Sequence, residues 1–452
     1  MKIIVAGCGK IGTAILADLV AEGHDVTALD ESPELISEIT NIHDVMAICG
    51  NCADCYTLEE AGIADTDMFV AATDSDELNM LSCFLAKRMG AGHTIARIRN
   101  PEYNDSSLVF MRKHLELAMA LNPEQLTAGE LFNVLKLPAA VRRESFSRRR
   151  FEVVEFRLDH GTKLHGLTVQ KMREKYNASF LICTVRRGDK VFIPHGGFVL
   201  ESGDKIGVIA APTEILKFLR LLGEMKKQAK SIIILGGSRT AYYLAKMCTE
   251  VGMSVKIIEK SPERCIELST LLPKAVIIQG DGATQEILIE EGLRDVDAFV
   301  CLTGQDEENI LVSMFATTQK VPKVMTKVNR DELISLASKI GLDCIVSPKE
   351  LSSGIVVRYA RAIQNSMGSN VETLYKIMDG MAEALEFKVG EDFPMIDVPL
   401  KDIRFKPGIL IAGILRDRKT IIPTGDDRML IGDRVVVIAA EQRLKDLSDI
   451  IK

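Results

Sequence analysis

Over roughly the first 120 residues, short apolar runs alternate with longer stretches of helical spacing. The runs KIIVAG, DVTALD, VMAIC, MFVAAT and TIARI are apolar on both faces, as strands buried in a parallel sheet must be. Between them, segments beginning at Ile11, Pro33, Thr57 and Glu77 space their apolar residues for helices after polar starts. Strands alternating with helices predict βαβ units and a doubly wound parallel sheet. The texture changes near Asn122, where NPEQLTAGELFNVLKL places Pro123 at a helix N1 position. That helix follows a finished sheet, so its apolar face needs cover from a second subunit or a neighbouring domain. From Phe151 to about Gly223 the pattern is strand-rich (FEVVEFRL, SFLICTVRR, KIGVIA), closing on a helix, EILKFLRLL.

The whole pattern occurs twice. MKIIVAGCGKIGTAILADLV and VTALDESPE are echoed by SIIILGGSRTAYYLAKMC and VKIIEKSPE, which sets Gly7 against Gly236, Asp30 against Glu259 and Pro33 against Pro262. GNCAD from Gly50 and FVAATDSDELN return as GDGAT from Gly280 and FVCLTGQDEEN. The helix from Pro123 returns from Pro348, Gly203-Asp204 returns as Gly432-Asp433, and the small strand-rich plan recurs from Leu385 to Lys452. The expected fold is α/β: two doubly wound, Rossmann-like parallel-sheet domains, each followed by a small α+β domain. The expected limits are 1–122, 140–225, 229–347 and 369–452, with the join at EMKKQAK (Glu224 to Lys230). Several domains suit 452 residues, because one core rarely grows past about 250–300 residues. The small units, at about 70 residues, are near the lower limit of independent stability and are expected to pair with a partner copy. A repeat that fills the chain leaves little room for a separate substrate domain.

A hydrophobic fraction of 47% with only 5% aromatics and no Trp suits aliphatic α/β cores. The net charge of −7 disfavours wholesale nucleic-acid binding. One basic stretch, RRESFSRRR (Arg142, Arg143, Arg148, Arg149, Arg150), reads as a solvated linker, the alternative being contact with an acidic partner or an anionic membrane face. No run approaches the roughly 20 apolar residues needed to span a bilayer. The apolar start leads straight into a glycine motif and reads as a first strand, not a signal peptide, so the expectation is a soluble, cytoplasmic protein. Ten cysteines in so long a chain do not form a disulfide framework. Cys49, Cys52 and Cys55 have the spacing that opens an iron–sulfur run, but no fourth Cys follows suitably and the second repeat has none there. Ordinary loop cysteines are the expectation, with metal binding or thiol redox sensing as alternatives.

Candidate chemistry centres on Gly7-Cys8-Gly9-Lys10-Ile11-Gly12. The string G-x-G-x-x-G alone is weak. Here it lies between a strand and a helix, with Asp30 ending the next strand, and that context marks a dinucleotide-type site. Gly7 permits the tight turn, Gly9 lets backbone approach a pyrophosphate and Gly12 lets helix and strand pack closely. The phosphates then meet free N–H groups at a helix N-terminus, where Lys10 can add charge. Asp30 can accept both ribose hydroxyls and repels a 2′-phosphate, which favours NAD or adenosine nucleotides over NADP. At the strand ends, Asn51 and Cys52 fall where an adenine would lie, Thr73 and Asp74 follow the fourth strand, and Arg97 sits in the fifth. Arg97 is either a phosphate contact or part of an interdomain ion pair. The second copy reads Gly236-Gly237-Ser238-Arg239-Thr240-Ala241, with Glu259 as the ribose acid and Asp281-Gly282 on the adenine side. Ser238 adds a Cβ where a pyrophosphate comes closest, so this site is expected to be weaker or altered in preference.

The combination of strand–GxGxxG–helix–acid, the G-N/D-x-A segment and T-x-x-D-E-x-N (Thr73, Asp76, Glu77, Asn79; Thr303, Asp306, Glu307, Asn309) resembles the RCK/KTN domains that regulate potassium channels and transporters. The small units, with Gly-Asp before a last apolar strand, resemble RCK C-terminal domains. The resemblance spans nearly the whole chain. It implies a regulator and not an enzyme, with NAD(H), ATP or ADP as regulatory ligands. It further implies an integral-membrane potassium transporter as partner, placement against the inner face of the membrane, and a homotetrameric or dimeric ring. The rival reading is an NAD-dependent oxidoreductase, but the seven histidines (His24, His43, His93, His114, His160, His165, His195) form no pair at catalytic spacing. A redox-responsive transcription factor would need a basic helix-turn-helix, which the sequence lacks.

Overall fold

The structure is a computed structural model that describes all residues except 104, 137–139, 147–149, 159–160, 177–178, 223–228, 367–370, 379, 418, 441, 443 and 445. The first repeat opens with β1 (Lys2–Ala6), α1 (Lys10–Ala21), β2 (Asp25–Asp30), α2 (Pro33–Ile42), β3 (Met46–Cys49) and α3 (Cys55–Glu60). It continues with β4 (Met68–Ala71), α4 (Asp76–Arg88), β5 (His93–Arg97), α5 (Asp105–His114), β6 (Met119–Leu121) and α6 (Pro123–Lys136). All six strands run parallel in the order β3-β2-β1-β4-β5-β6. The order reverses between β1 and β4, which opens a crevice at their carboxyl ends. Helices start where the sequence supplies caps. Ser32 Oγ accepts Leu35 N–H with Pro33 at N1, Asp54 accepts Thr57 N–H, and Ser75 Oγ accepts Leu78 N–H.

The small unit after it holds β7 (Arg142–Phe146), β8 (Phe151–Arg157), α7 (Val169–Tyr176), β9 (Phe180–Arg187), β10 (Lys190–Phe192), β11 (Lys205–Ala210) and α8 (Pro212–Leu222). Its antiparallel sheet has the order β10-β9-β11-β8-β7. The second repeat follows with β12 (Ser231–Leu235), α9 (Arg239–Glu250), β13 (Ser254–Glu259), α10 (Pro262–Leu271), β14 (Val276–Gln279) and α11 (Gln285–Glu290). Next come β15 (Ala298–Cys301), α12 (Asp306–Thr318), β16 (Lys323–Lys327), α13 (Asp331–Lys339), β17 (Ile345–Val346) and α14 (Pro348–Ser366). Its sheet order, β14-β13-β12-β15-β16-β17, reproduces the first. The last unit holds β18 (Val371–Ile377), β19 (Ala382–Lys388), β20 (Ile409–Arg416), β21 (Lys419–Ile421) and β22 (Arg434–Ala440), ordered β18-β19-β22-β20-β21.

Two compact bodies result. One joins residues 1–132 with 230–360, and the other joins 133–229 with 361–452. In the first, the two parallel-sheet domains exchange their trailing helices. Asn122, at the start of α6, donates to Tyr243 on α9 at 3.1 Å. Reciprocally, Ser353 on α14 donates to Asp18 on α1 at 2.6 Å, and Tyr359 lies 3.0 Å from His93 Nδ1. The cover these helices need thus comes from the other repeat. In the second body a shared core includes Phe146, Phe151, Cys183 and Ile209 of one sheet with Ile377, Ala384, Ala412 and Val436 of the other. The repeated Gly-Asp acts as a clamp. Asp204 accepts two bonds from Arg187 at 2.8 Å each, and Asp433 accepts two from Arg416 at 2.9 and 2.7 Å.

The sequence reading needs four corrections. Each parallel sheet has a sixth strand, β6 or β17, beyond the five expected. VMAIC is not buried on both faces: β3 is an edge strand with Met46 and Cys49 exposed. Arg142 and Arg143 belong to edge strand β7, not to a linker, with Arg143 paired to Glu152 at 2.7 Å; Arg148 and Arg149 lie outside the described residues. Among the described residues the closing helix α8 has no counterpart, and the second unit has a 3-10 turn at Leu447–Ile450 in its place. Of the EMKKQAK join, only Ala229 and Lys230 are among the described residues.

Candidate functional site

In the first crevice the glycines do what their spacing requires. Gly7 has φ +89°, and a Cβ there would lie 2.5 Å from Thr73 N, so the turn after β1 rests directly on the loop after β4. A Cβ on Gly12 would lie 1.7 Å from the Gly7 carbonyl oxygen, so only glycine lets α1 sit this close. A Cβ on Gly9 would meet nothing within 4 Å, because Gly9 faces the open crevice. Cys8 and Ile11 point inward and are buried, while Lys10 is exposed. Burial and the nearby Asp30 charge push the Cys8 thiol up to about 12, which makes it a packing group and not a nucleophile.

Asp30 ties the crevice together: one oxygen accepts Cys8 N–H at 2.6 Å and the other accepts Ser32 N–H at 2.9 Å. Each oxygen keeps a further lone pair for a ribose hydroxyl. Asn51 is exposed and closes its own turn by accepting Ala53 N–H at 2.7 Å. Cys52 is buried, and burial raises its thiol, so only its backbone reaches the adenine side. Cys49 and Cys55 are exposed, and no group of three metal-ligating side chains occurs among the described residues.

Thr73 is held by Asn79, a motif residue whose task the sequence alone does not reveal. Asn79 Oδ1 accepts Thr73 N–H at 2.9 Å and Thr73 O–H at 2.7 Å, while its Nδ2 donates to the Thr73 and Arg97 carbonyls at 3.1 and 2.9 Å. Asp76 accepts the N–H groups of Arg99 and Asn100 at 2.8 and 2.7 Å. The T-x-x-D-x-x-N motif therefore fastens the loop after β4 to the end of β5. Arg97 is mostly buried, 3.6 Å from Asp74 and 3.4 Å from the Thr73 carbonyl, with its Nε buried and unbonded. Burial, then the charge of Arg99, lowers its affinity for its proton.

The second crevice keeps this frame. Glu259 accepts Gly237 N–H and Ser261 N–H, and Asn309 fastens Thr303 to the Lys327 carbonyl as Asn79 does in the first. Its contents differ. Ser238 Oγ accepts Ala241 N–H at 3.3 Å, so the serine caps α9 and occupies a donor that Gly9 leaves open to a ligand. Thr240 is buried, as Ile11 is. A Cβ on Gly236 would stand 3.1 Å from Thr303, and this looser fit accompanies Ala241 in place of the packing glycine. A Cβ on Gly282 would lie 2.0 Å from Leu235, so Leu235 with Gly282 replaces Ala6 with Cys52 as a size swap in the core. Lys260 pairs with Asp281 at 2.8 Å, Arg264 donates to the Gly237 carbonyl at 2.6 Å, and Lys327 stands where Arg97 stands in the first copy. Both crevices present helix N–H groups, a fixed carboxylate and a cation at the fifth strand, the parts that hold the phosphates and ribose of a nucleotide.

The TrkA-N domain family matches residues 3–111 and 232–348, and the TrkA-C domain family matches 153–223 and 384–452. The chain is 31% identical over 447 residues to Trk system potassium uptake protein TrkA homolog 1 of Methanosarcina mazei, covering 97% of each. It is 30% identical over 450 residues to Trk system potassium uptake protein TrkA of Haemophilus influenzae, covering 98% of this chain and 96% of the relative. Among solved structures, the GsuK channel bound to NAD shares the fold at TM-score 0.63 and 14% identity, over 97% of this chain and 77% of that one. With both domain types matched in tandem and such relatives aligned end to end, the chain belongs to the TrkA family.

Proposed function

We propose that the chain is the nucleotide-binding regulatory subunit of a Trk-type potassium uptake system, taking NAD(H), ATP or ADP as signals rather than as substrates. The single observation that carries this is the pair of crevices, each with a backbone-locked ribose carboxylate at the end of its second strand. The relatives named for potassium uptake and the shared fold of an NAD-bound channel support it. In this reading the chain docks on the inner face of the membrane against the integral transporter subunit. Four chains supply eight parallel-sheet domains to a ring, with domain limits near 1–122, 140–225, 229–347 and 369–452. Nucleotide shifts the ring only by binding one shape more tightly than another. Moving a population from 1:99 to 99:1 takes about 5.5 kcal/mol, which coupled sites can share. The oxidoreductase reading is not favoured, because the whole chain aligns with uptake-system relatives. Potassium flux through proteoliposomes holding a Trk-type membrane subunit tests the proposal. Flux should depend on this chain and change with NADH, NAD, ATP or ADP. Flux indifferent to the chain and to every nucleotide overturns it.

A further inference from the structure

The two crevices share a frame but differ in the charged groups they carry. The first sets Lys10, Arg97 and Arg99, whose guanidinium donates to the Asp74 carbonyl and pairs with Asp76, against Asp30, Glu31 and Asp74. At the matching positions the second sets Arg239, Lys260 and Lys327 against Glu259 and Asp281, with Gly304 in place of Asp74, while Glu308 in place of Leu78 adds a carboxylate whose field reaches Lys260. A further cation, Arg264, replaces Leu35 and lies over the glycine loop, bonded to the Gly237 carbonyl at 2.6 Å and paired with Glu267.

The difference is sharpest at the ends of the fourth and fifth strands, across the switch point, where the part of a ligand beyond the first phosphates must extend. In the first crevice Asp74 answers Arg97 at 3.6 Å and stands fully exposed to whatever enters. It disfavours a terminal phosphate and tolerates an uncharged ribosyl group. In the second crevice Lys327 reaches only the Leu302 carbonyl, at 3.4 Å, and no carboxylate lies within ion-pair distance of it among the described residues. Of the carboxylates whose field it feels, Asp306 accepts the N–H groups of Asn329 and Arg330 and the Asn329 side-chain amide, and Glu124 projects from α6 of the other repeat. A half-buried ammonium that also feels the Lys10 charge and has no bonded anion is disfavoured, and a phosphate oxygen is the partner that relieves it.

We infer that the second crevice is a polyphosphate-selective site that binds an adenine nucleotide more tightly with each added phosphate, whereas the first favours a dinucleotide pyrophosphate. This rests on the nucleotide-binding reading above. Each crevice can be isolated in the full chain. A Cβ on Gly9 meets nothing and Gly9 lies in extended backbone, so Gly9→Asp blocks the first with a carboxylate; Ser238→Asp blocks the second and can still cap α9. Calorimetric titrations with AMP, ADP, ATP and NADH then follow. With Gly9→Asp, affinity should climb from AMP to ATP by more than about tenfold and weaken with salt. With Ser238→Asp the series should be nearly flat, with NADH at least as tight as ATP. Adding Gly304→Asp to Gly9→Asp restores the missing carboxylate at a position with free space, and should cut the ATP preference to within about threefold. Lys327→Met should do the same. Equal phosphate dependence in both crevices, or a preference that survives Gly304→Asp, overturns the inference. Wild-type protein that binds none of the four nucleotides overturns the functional reading itself.

Discussion

Asp30 and Glu259 each do two jobs with one carboxylate, fixing the glycine loop through backbone N–H groups and offering lone pairs to a ribose. The acid and the glycines were legible in the sequence because their spacing is set by local backbone geometry. Asn79 was visible only as a letter in a motif, since its partners lie 6 and 18 residues away and only the fold brings them together. Asn79→Ala should destabilise the protein by about 1–3 kcal/mol, the scale for buried groups left unbonded, as urea unfolding can measure. The Lys327 contrast was hidden too, because Arg and Lys read as equivalent until burial is known. Burial, the largest cause, lowers the affinity of Lys327 for its proton, so its charge is lost at a lower pH than an ordinary lysine's. Phosphate binds the charged form, so ATP affinity of the second crevice should begin to fall at a pH below the ordinary lysine value of 10.5. Titrations of Gly9→Asp protein check this, with Lys327→Met added as the control that should stay flat.

At the scale of elements, long periodic strands and helices were readable and the short ones were not. β6 and β17 contain three and two residues, too few for any periodicity to register. β7 reads as a linker in sequence because its arginines mask an edge strand, the very place where charge guards against further pairing. The exchanged helices could be read as needing cover, but sequence alone could not say which body supplies it. Their docking is sensitive to pH through His93, which meets Tyr359 of α14 and also faces Lys87 and Asp67. Burial, then the Lys87 charge, lowers the imidazole below its ordinary value of 6.5, against the pull of Asp67. The unfolded chain therefore takes up the proton first. The contribution is complete above pH 6.5 and is lost as pH falls through the lower, folded value. Thermal unfolding should show this acid loss of stability, and His93→Gln should flatten the part that His93 contributes.

For the whole molecule, duplication alone would let either half pair with its own copy, yet the paired small units are not interchangeable. Phe151 of β8 packs against Gly413 of β20, where an added Cβ would lie 3.0 Å from the ring. By repeat position the equivalent residues are Ala382 for Phe151 and Thr184 for Gly413, so the large-and-smallest pairing of one direction has no copy in the other. A homotypic pair of first halves would set Phe151 against Thr184, and a pair of second halves would leave Ala382 facing Gly413. The first is overpacked and the second leaves a void, which favours pairing of unlike halves within one chain. Gly413→Val should therefore cost about 1–3 kcal/mol, and Phe151→Ala about 3–5 kcal/mol. The double variant should cost clearly less than their sum, because the new methyl groups enter the space the ring vacates. Denaturant unfolding of the four proteins measures that coupling. Strict additivity would show that this contact does not select the partner, and would leave the pairing of unlike halves to their covalent connection.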